Sequence, residues 1–148
     1  MMYRDPVGHR IKTINNLMKR NMDKFFGHEP DQATLMHTWI IGFVQEREDM
    51  GLDTFQKDIE EEFSINRSTT SEMLKLMCKK GMIERVPVSC DKRLKKIILT
   101  KESYEFNKKI EQQMLHVHHL FIEGLSQEEI DAFLATCDKL IDNLKKEL

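Results

Sequence analysis

Apolar residues recur along this chain at two different periods, and the switch between them marks out the elements. From His9 to Phe26 they fall at Ile11, Ile14, Leu17, Met18, Phe25 and Phe26, a helical spacing, with Gly27 placed as a left-handed C-cap. A second helix is expected from about Pro30-Asp31, with Met36, Trp39, Ile40, Phe43 and Val44 on one face and the charged run Gln45 to Asp49 closing it before Gly51. Asp53 with Gln56 reads as a capping box opening a short third helix that turns Phe55, Ile59 and Phe63 inward. Asn66 caps a fourth helix, Arg67 to about Lys80, whose apolar stripe is Met73, Leu74 and Met77 with Thr70 a turn earlier; Gly81 ends it. The period then changes. Met82 to Val86 and Lys96 to Thr100 are β-prone runs flanking a polar tip, which predicts a hairpin. Lys101 opens a long helix to about Glu123, broken by Gly124. Ser126 and Glu129 then form a capping box for a last helix carrying Ile130, Phe133, Leu134, Cys137, Leu140, Ile141 and Leu144.

The 148 residues suffice for one domain with a real core, and three prolines and six glycines leave little room for long linkers. No apolar run reaches membrane-spanning length and the first residues lack the apolar core of a signal peptide, so a cytoplasmic chain with no membrane partner is expected. Cys78, Cys90 and Cys137 form no CxxC pair and are odd in number, which fits reduced thiols better than disulfides or a zinc knuckle.

Charge changes the picture more than composition does. Between Ser64 and Lys101 there are ten Lys or Arg against Glu72, Glu84 and Asp91, a net of +7 that leaves −9 for the rest of a chain totalling −2. Such a concentration attracts polyanions whatever the whole-chain charge. Two helices joined by a short turn and followed by a hairpin make a winged helix-turn-helix. The overall class is therefore mainly α with a small β-hairpin wing. One α-helix fits the major groove of DNA, about 12 Å wide, with its N-terminal residues at the base edges. The helix start Asn66-Arg-Ser-Thr-Thr-Ser71 offers hydroxyls and a guanidinium at its positive dipole end, and Lys92, Arg93, Lys95 and Lys96 put cations on the hairpin tip.

Ser64-Ile-Asn-Arg-Ser-Thr-Thr-Ser71, Lys79-Lys-Gly-Met-Ile-Glu-Arg85 and Asp91-Lys-Arg93 with Ile98-Leu-Thr100 resemble the MarR (multiple antibiotic resistance regulator) family of bacterial transcription factors. The likeness runs without gaps from about Asp53 to Ser103. It implies a homodimer that binds double-stranded DNA. Residues 31–101 would form the winged helix-turn-helix, and 1–30 with 102–148 the flanking N- and C-terminal dimerisation helices of a single 1–148 domain. Carried over by position, Arg67, Ser68, Thr69, Ser71 and Lys75 face the major groove, Arg93 enters the minor groove beside Lys92 and Lys95, and Asp91 holds the wing in shape. Glu72 and Leu76 depart from the polar or basic residues common at those places; Glu72 could accept from a cytosine amino group or turn away and pair with Lys75 or Lys79, and the second is expected because an unpaired carboxylate near phosphates is costly.

The resemblance further implies a sequence-specific regulator, a repressor on a pseudo-palindromic operator, answering to a small-molecule effector whose site the sequence does not locate. Trp39 and His37 are candidates for lining it, but Trp39, Phe43 and the methionines read first as core. His116 and His119 lie three apart on the long helix, with His118 between and His28 and His37 elsewhere; no metal or cofactor site is expected from them. Cys78 and Cys90 are flanked by cations, so a metal- or redox-sensing regulator of the same fold stays open as an alternative, as does a winged helix that binds protein. The chain has no Gly-rich phosphate loop, HExxH or Ser/His/Asp arrangement, and an enzyme is not expected.

Overall fold

A computed structural model describes residues 5–26, 34–89 and 91–148. The expected Gly27 cap, the helix start at Pro30-Asp31, His28 and Cys90 lie outside these residues. The elements run α1 (Pro6–Phe26), α2 (Leu35–Asp49), α3 (Gln56–Phe63), α4 (Arg67–Lys79), β1 (Ile83–Val88), β2 (Asp91–Leu99), α5 (Lys101–Ile122) and α6 (Gln127–Lys145). The chain forms two compact units, one up to Gln112 and one from Gln113 to Leu148. Among the described residues no helix is long and apolar enough to cross a membrane.

The core of the first unit joins Ile40, Ile41 and Val44 of α2, Ile59 of α3, Leu74 and Met77 of α4, Ile83 of β1 and Ile97 and Leu99 of β2. Burial of each such side chain contributes about 1.5–3 kcal/mol, so helix-turn-helix and hairpin are held by one shared apolar cluster. Phe43 and Phe63 meet edge to face beside it, centroids 5.7 Å apart. Trp39 is a correction: it stands 38% exposed rather than in the core, because α2 buries His37, Ile40, Ile41 and Val44 and leaves Trp39 on its outer flank.

The segment before α3 also departs from expectation. Asp53 and Gln56 form no capping box. Thr54 is drawn into the sheet instead, its carbonyl accepting from Ile97 N at 2.7 Å, and Asp58 accepts from Phe55 N at 2.8 Å at the helix start. Arg47, expected in a charged helix tail, holds this segment in place. Its Nε donates to Thr54 Oγ1 at 3.2 Å, its Nη2 donates to the Asp53 carbonyl at 2.7 Å and pairs with Asp58 at 3.5 Å, and its guanidinium lies 5.6 Å from the Phe43 ring centre.

The start of α5 is tied to the same body. Thr100 Oγ1 donates to the Gly81 carbonyl at 2.6 Å, Ser103 Oγ to the Met82 carbonyl, and Asn107 Nδ2 to Gln45 Oε1 at 2.6 Å. Tyr104 donates to Glu48, and that bond, with burial and the charges of Glu48 and Asp49, pushes its phenol up to about 12. In the second unit, α6 starts with the expected capping box, Ser126 Oγ accepting from Glu129 N at 3.1 Å and Glu129 Oε2 from Ser126 N at 3.0 Å. Its apolar stripe, however, is uncovered. No residue of α6 is buried, and Phe133, Leu134 and Leu144 are 51%, 56% and 71% exposed.

His37 is not a free imidazole. Thr34 caps α2 by accepting from His37 N at 3.2 Å, and His37 Nδ1 accepts from Thr34 N at 3.3 Å. An accepting Nδ1 must be unprotonated there, and burial followed by the nearby Lys80 charge lowers the His37 pKa below its usual 6.5. The unfolded chain therefore takes up this proton first as pH falls. The stabilisation is complete above the unfolded value near 6.5 and is lost progressively below it. Denaturant titrations are expected to show stability declining as pH drops below about 6.5, with a shallower decline in His37→Gln.

Candidate nucleic-acid interface

The turn between α3 and α4 is built from Ser64, in the left-handed region at φ 51°, with Ile65 N donating back to the Glu60 carbonyl at 3.1 Å. Such a conformation costs an L residue about 1 kcal/mol, which the packing on either side must offset. Asn66 then caps α4, its Oδ1 accepting from Thr69 N at 2.8 Å and from Ser68 Oγ at 3.1 Å. The cap leaves the remaining first-turn amides and the positive end of the helix dipole facing outward.

Burial fixes which side of α4 is free. Thr70, Leu74 and Met77 are buried, whereas Arg67, Ser68, Thr69, Glu72, Lys75, Leu76 and Lys79 are exposed. Ser71 is half-buried at the edge of the exposed face. The expected pairing of Glu72 with Lys75 or Lys79 is absent: no Lys or Arg nitrogen among the described residues pairs with its carboxylate within 4.0 Å. A carboxylate amid solvated neighbours gains too little from an i, i+3 or i+7 contact to be held in one.

The wing extends further than the β-prone runs suggest. β1 and β2 pair antiparallel from Ile83↔Leu99 through Pro87↔Lys95, and then the register jumps to Val88↔Asp91. Lys92, Arg93 and Leu94 therefore have no partner across the strand and form a bulge at the tip, all exposed. Asp91 Oδ1 accepts from Arg93 N at 2.9 Å across that bulge. Lys92, Arg93 and Lys95 make no ion pair among the described residues, while Lys96 turns back to Asp53 at 3.3 Å.

A groove of about 660 Å³ lies between recognition helix and wing. It brings together Arg67 and Ser71 of α4 with Arg93 and Lys95 of β2, and it adds Lys57 and Arg85, with Glu60 as its one acid. Ser68, Thr69, Lys75 and Lys92 lie outside it. Arg85, Lys57 and Gln56 were not legible as site residues. Gln56 bridges the walls, its Nε2 donating to the Arg67 carbonyl at 3.3 Å and its Oε1 accepting from Arg85 Nη2 at 3.4 Å. The one sequence signal for Arg85 was its membership of the basic segment. Among the described residues no three His, Cys, Asp or Glu gather as a metal set, and His116, His118 and His119 lie on α5 within the second unit.

A helix and a β-ribbon that turn uncompensated cations into one groove define the winged helix-turn-helix class. The MarR family model matches residues 33–94. Comparison with curated protein sequences gives no match. Among solved structures the chain is similar to the transcription regulator MarR from Oenococcus oeni, at 26% identity over 92% of this chain and 98% of that one, with a TM-score of 0.75. It is also similar to MepR of S. aureus, solved with DNA (21%, 95% and 99%, TM-score 0.80). A third is PcaV of Streptomyces coelicolor, solved with its natural ligand (16%, 96% and 98%, TM-score 0.80). Residues 33–94 thus resemble the MarR family, and the fold of the chain is similar to that of solved MarR transcription regulators.

Because Asn66 alone caps the start of α4 with a side chain, Asn66→Ala is expected to cost about 0.5–2 kcal/mol, read as a lower denaturant midpoint, while Asn66→Asp retains most of the stability.

Proposed function

We propose that this chain is a sequence-specific regulator of transcription that binds duplex DNA as a homodimer and represses from a pseudo-palindromic operator. The observation that carries the reading is the groove where Arg67 and Ser71 of α4 meet Arg93 and Lys95 of the wing, with none of those cations ion-paired among the described residues. α4 would lie in the major groove with Arg67, Ser68, Thr69, Ser71 and Lys75 toward it. Arg93, aimed by Asp91, would reach the adjacent minor groove, with Lys92 and Lys95 on phosphates. Arg85 and Lys57 add positive charge along the same trough.

Two-fold assembly is supported by the bare stripe on α6, because apolar surface of this kind on a folded unit marks an interface. A second copy would cover it and set two recognition helices about one helical turn of DNA apart. A small-molecule effector would then act by favouring a dimer geometry in which the two helices no longer match successive grooves, which requires different affinities for the two geometries. The DNA-bound and ligand-bound relatives share this fold and agree with the reading.

Salt titration tests it. The logarithm of affinity should fall linearly with log salt at a slope near −0.9 per phosphate contacted. Arg93→Ala is expected to weaken binding to all duplexes alike and to reduce the slope by about one, whereas Arg67→Ala costs about 1–3 kcal/mol and relaxes one base position. If both variants bind a selected operator as the parent does, the assignment fails. Binding to a protein with no salt-dependent affinity for duplex DNA would favour a protein-interaction module instead.

A further inference from the structure

The basic groove explains the cations of this surface but not the one acid at the centre of α4's outward face. Glu72 is exposed, and its neighbours one turn before and after, Ser68, Thr69, Lys75 and Leu76, are all exposed as well. The opposite side of the helix is closed by Thr70, Leu74 and Met77. Glu72 thus stands in the middle of the surface that the DNA-binding reading sets against base edges, not on its rim. Nothing neutralises it: among the described residues it has no ion pair, and Lys75 and Lys79 leave it alone. Leu76, 43% exposed one turn on, offers it no polar partner either.

A free carboxylate facing a polyanion is repelled unless it meets a hydrogen-bond donor. In the major groove guanine shows two acceptors, N7 and O6, and thymine shows the O4 acceptor and a methyl group. Adenine offers N6–H beside the N7 acceptor, which faces the second carboxylate oxygen. Cytosine alone presents an N4 amino donor with no acceptor at its side. From this geometry, and resting on the DNA-binding reading above, we propose that Glu72 is a specificity-determining residue that selects a cytosine in each half-site by accepting from its N4 amino group. Discrimination works largely through rejection: guanine and thymine turn only acceptors toward the carboxylate and leave it desolvated without a partner, and adenine sets its N7 acceptor against the second carboxylate oxygen beside its one donor.

Selection of duplexes from random DNA by the full-length parent, Glu72→Gln and Glu72→Ala tests this. Each variant is first shown to match the parent in helical content and melting, as an exposed position allows. The parent motif is expected to contain one symmetry-related cytosine per half-site that both variants lose while the remaining positions persist. On the selected site, changing that C·G to T·A should weaken the parent by about 5- to 150-fold and the variants by less than about 3-fold. Removal of a negative charge should also raise the variants' affinity for unrelated duplexes. An unchanged motif in both variants overturns the proposal and leaves DNA binding intact. A parent that selects no motif at all overturns the DNA-binding reading itself, and this inference with it.

Discussion

The backbone bridge between Thr54 and Ile97 is the constraint on which the rest depends. Ile97 N donates to the Thr54 carbonyl at 2.7 Å while the Ile97 side chain sits in the core with Ile59, Leu74 and Ile83. One residue thus fastens the wing to the segment that leads into the helix-turn-helix. Arg47 stiffens the far side by bonding Thr54, the Asp53 carbonyl and Asp58 together. A hairpin by itself is at best marginally stable in water. Here it is pinned at its inner end, and the bulge of Lys92, Arg93 and Leu94 stands at its outer end.

That pinning makes the charge useful. Cations on a loose ribbon would neutralise phosphates at random orientations, at a cost in conformational entropy on binding. Held at a fixed distance from α4, the same cations define a trough with walls, and Gln56 ties the two walls by touching both the Arg67 backbone and Arg85. Lys96 shows the division of labour within the basic run: it pairs with Asp53 and so belongs to the scaffold, whereas its neighbours Arg93 and Lys95 face the groove.

Helix spacing made α4, the hairpin and the capped α6 legible from sequence, because local period and capping chemistry agree there with the tertiary outcome. The MarR likeness was legible as well. Four features were not. Thr54 joins the sheet through a single non-local bond, so the local capping pattern at Asp53 and Gln56 was a competing solution that lost. Trp39 satisfies a helical period but lies on the flank of a helix that is buried around the neighbouring row, and period alone does not say which row faces inward. Arg85 and Lys57 enter the groove from two other elements, and only folding brings them beside Arg67. For Glu72 the cost of an unpaired carboxylate near phosphates favours pairing with Lys75 or Lys79, and among the described residues it has no such ion pair.

Amide hydrogen exchange followed by mass spectrometry, on the full chain with and without a bound duplex, tests most directly whether helix and wing act as one surface. The account predicts that a single duplex slows exchange together in the first turns of α4 and in the tip strand from Asp91 to Ile97, with α6 unaffected by the DNA itself. Protection in only one of the two, or protection confined to other helices, would contradict it.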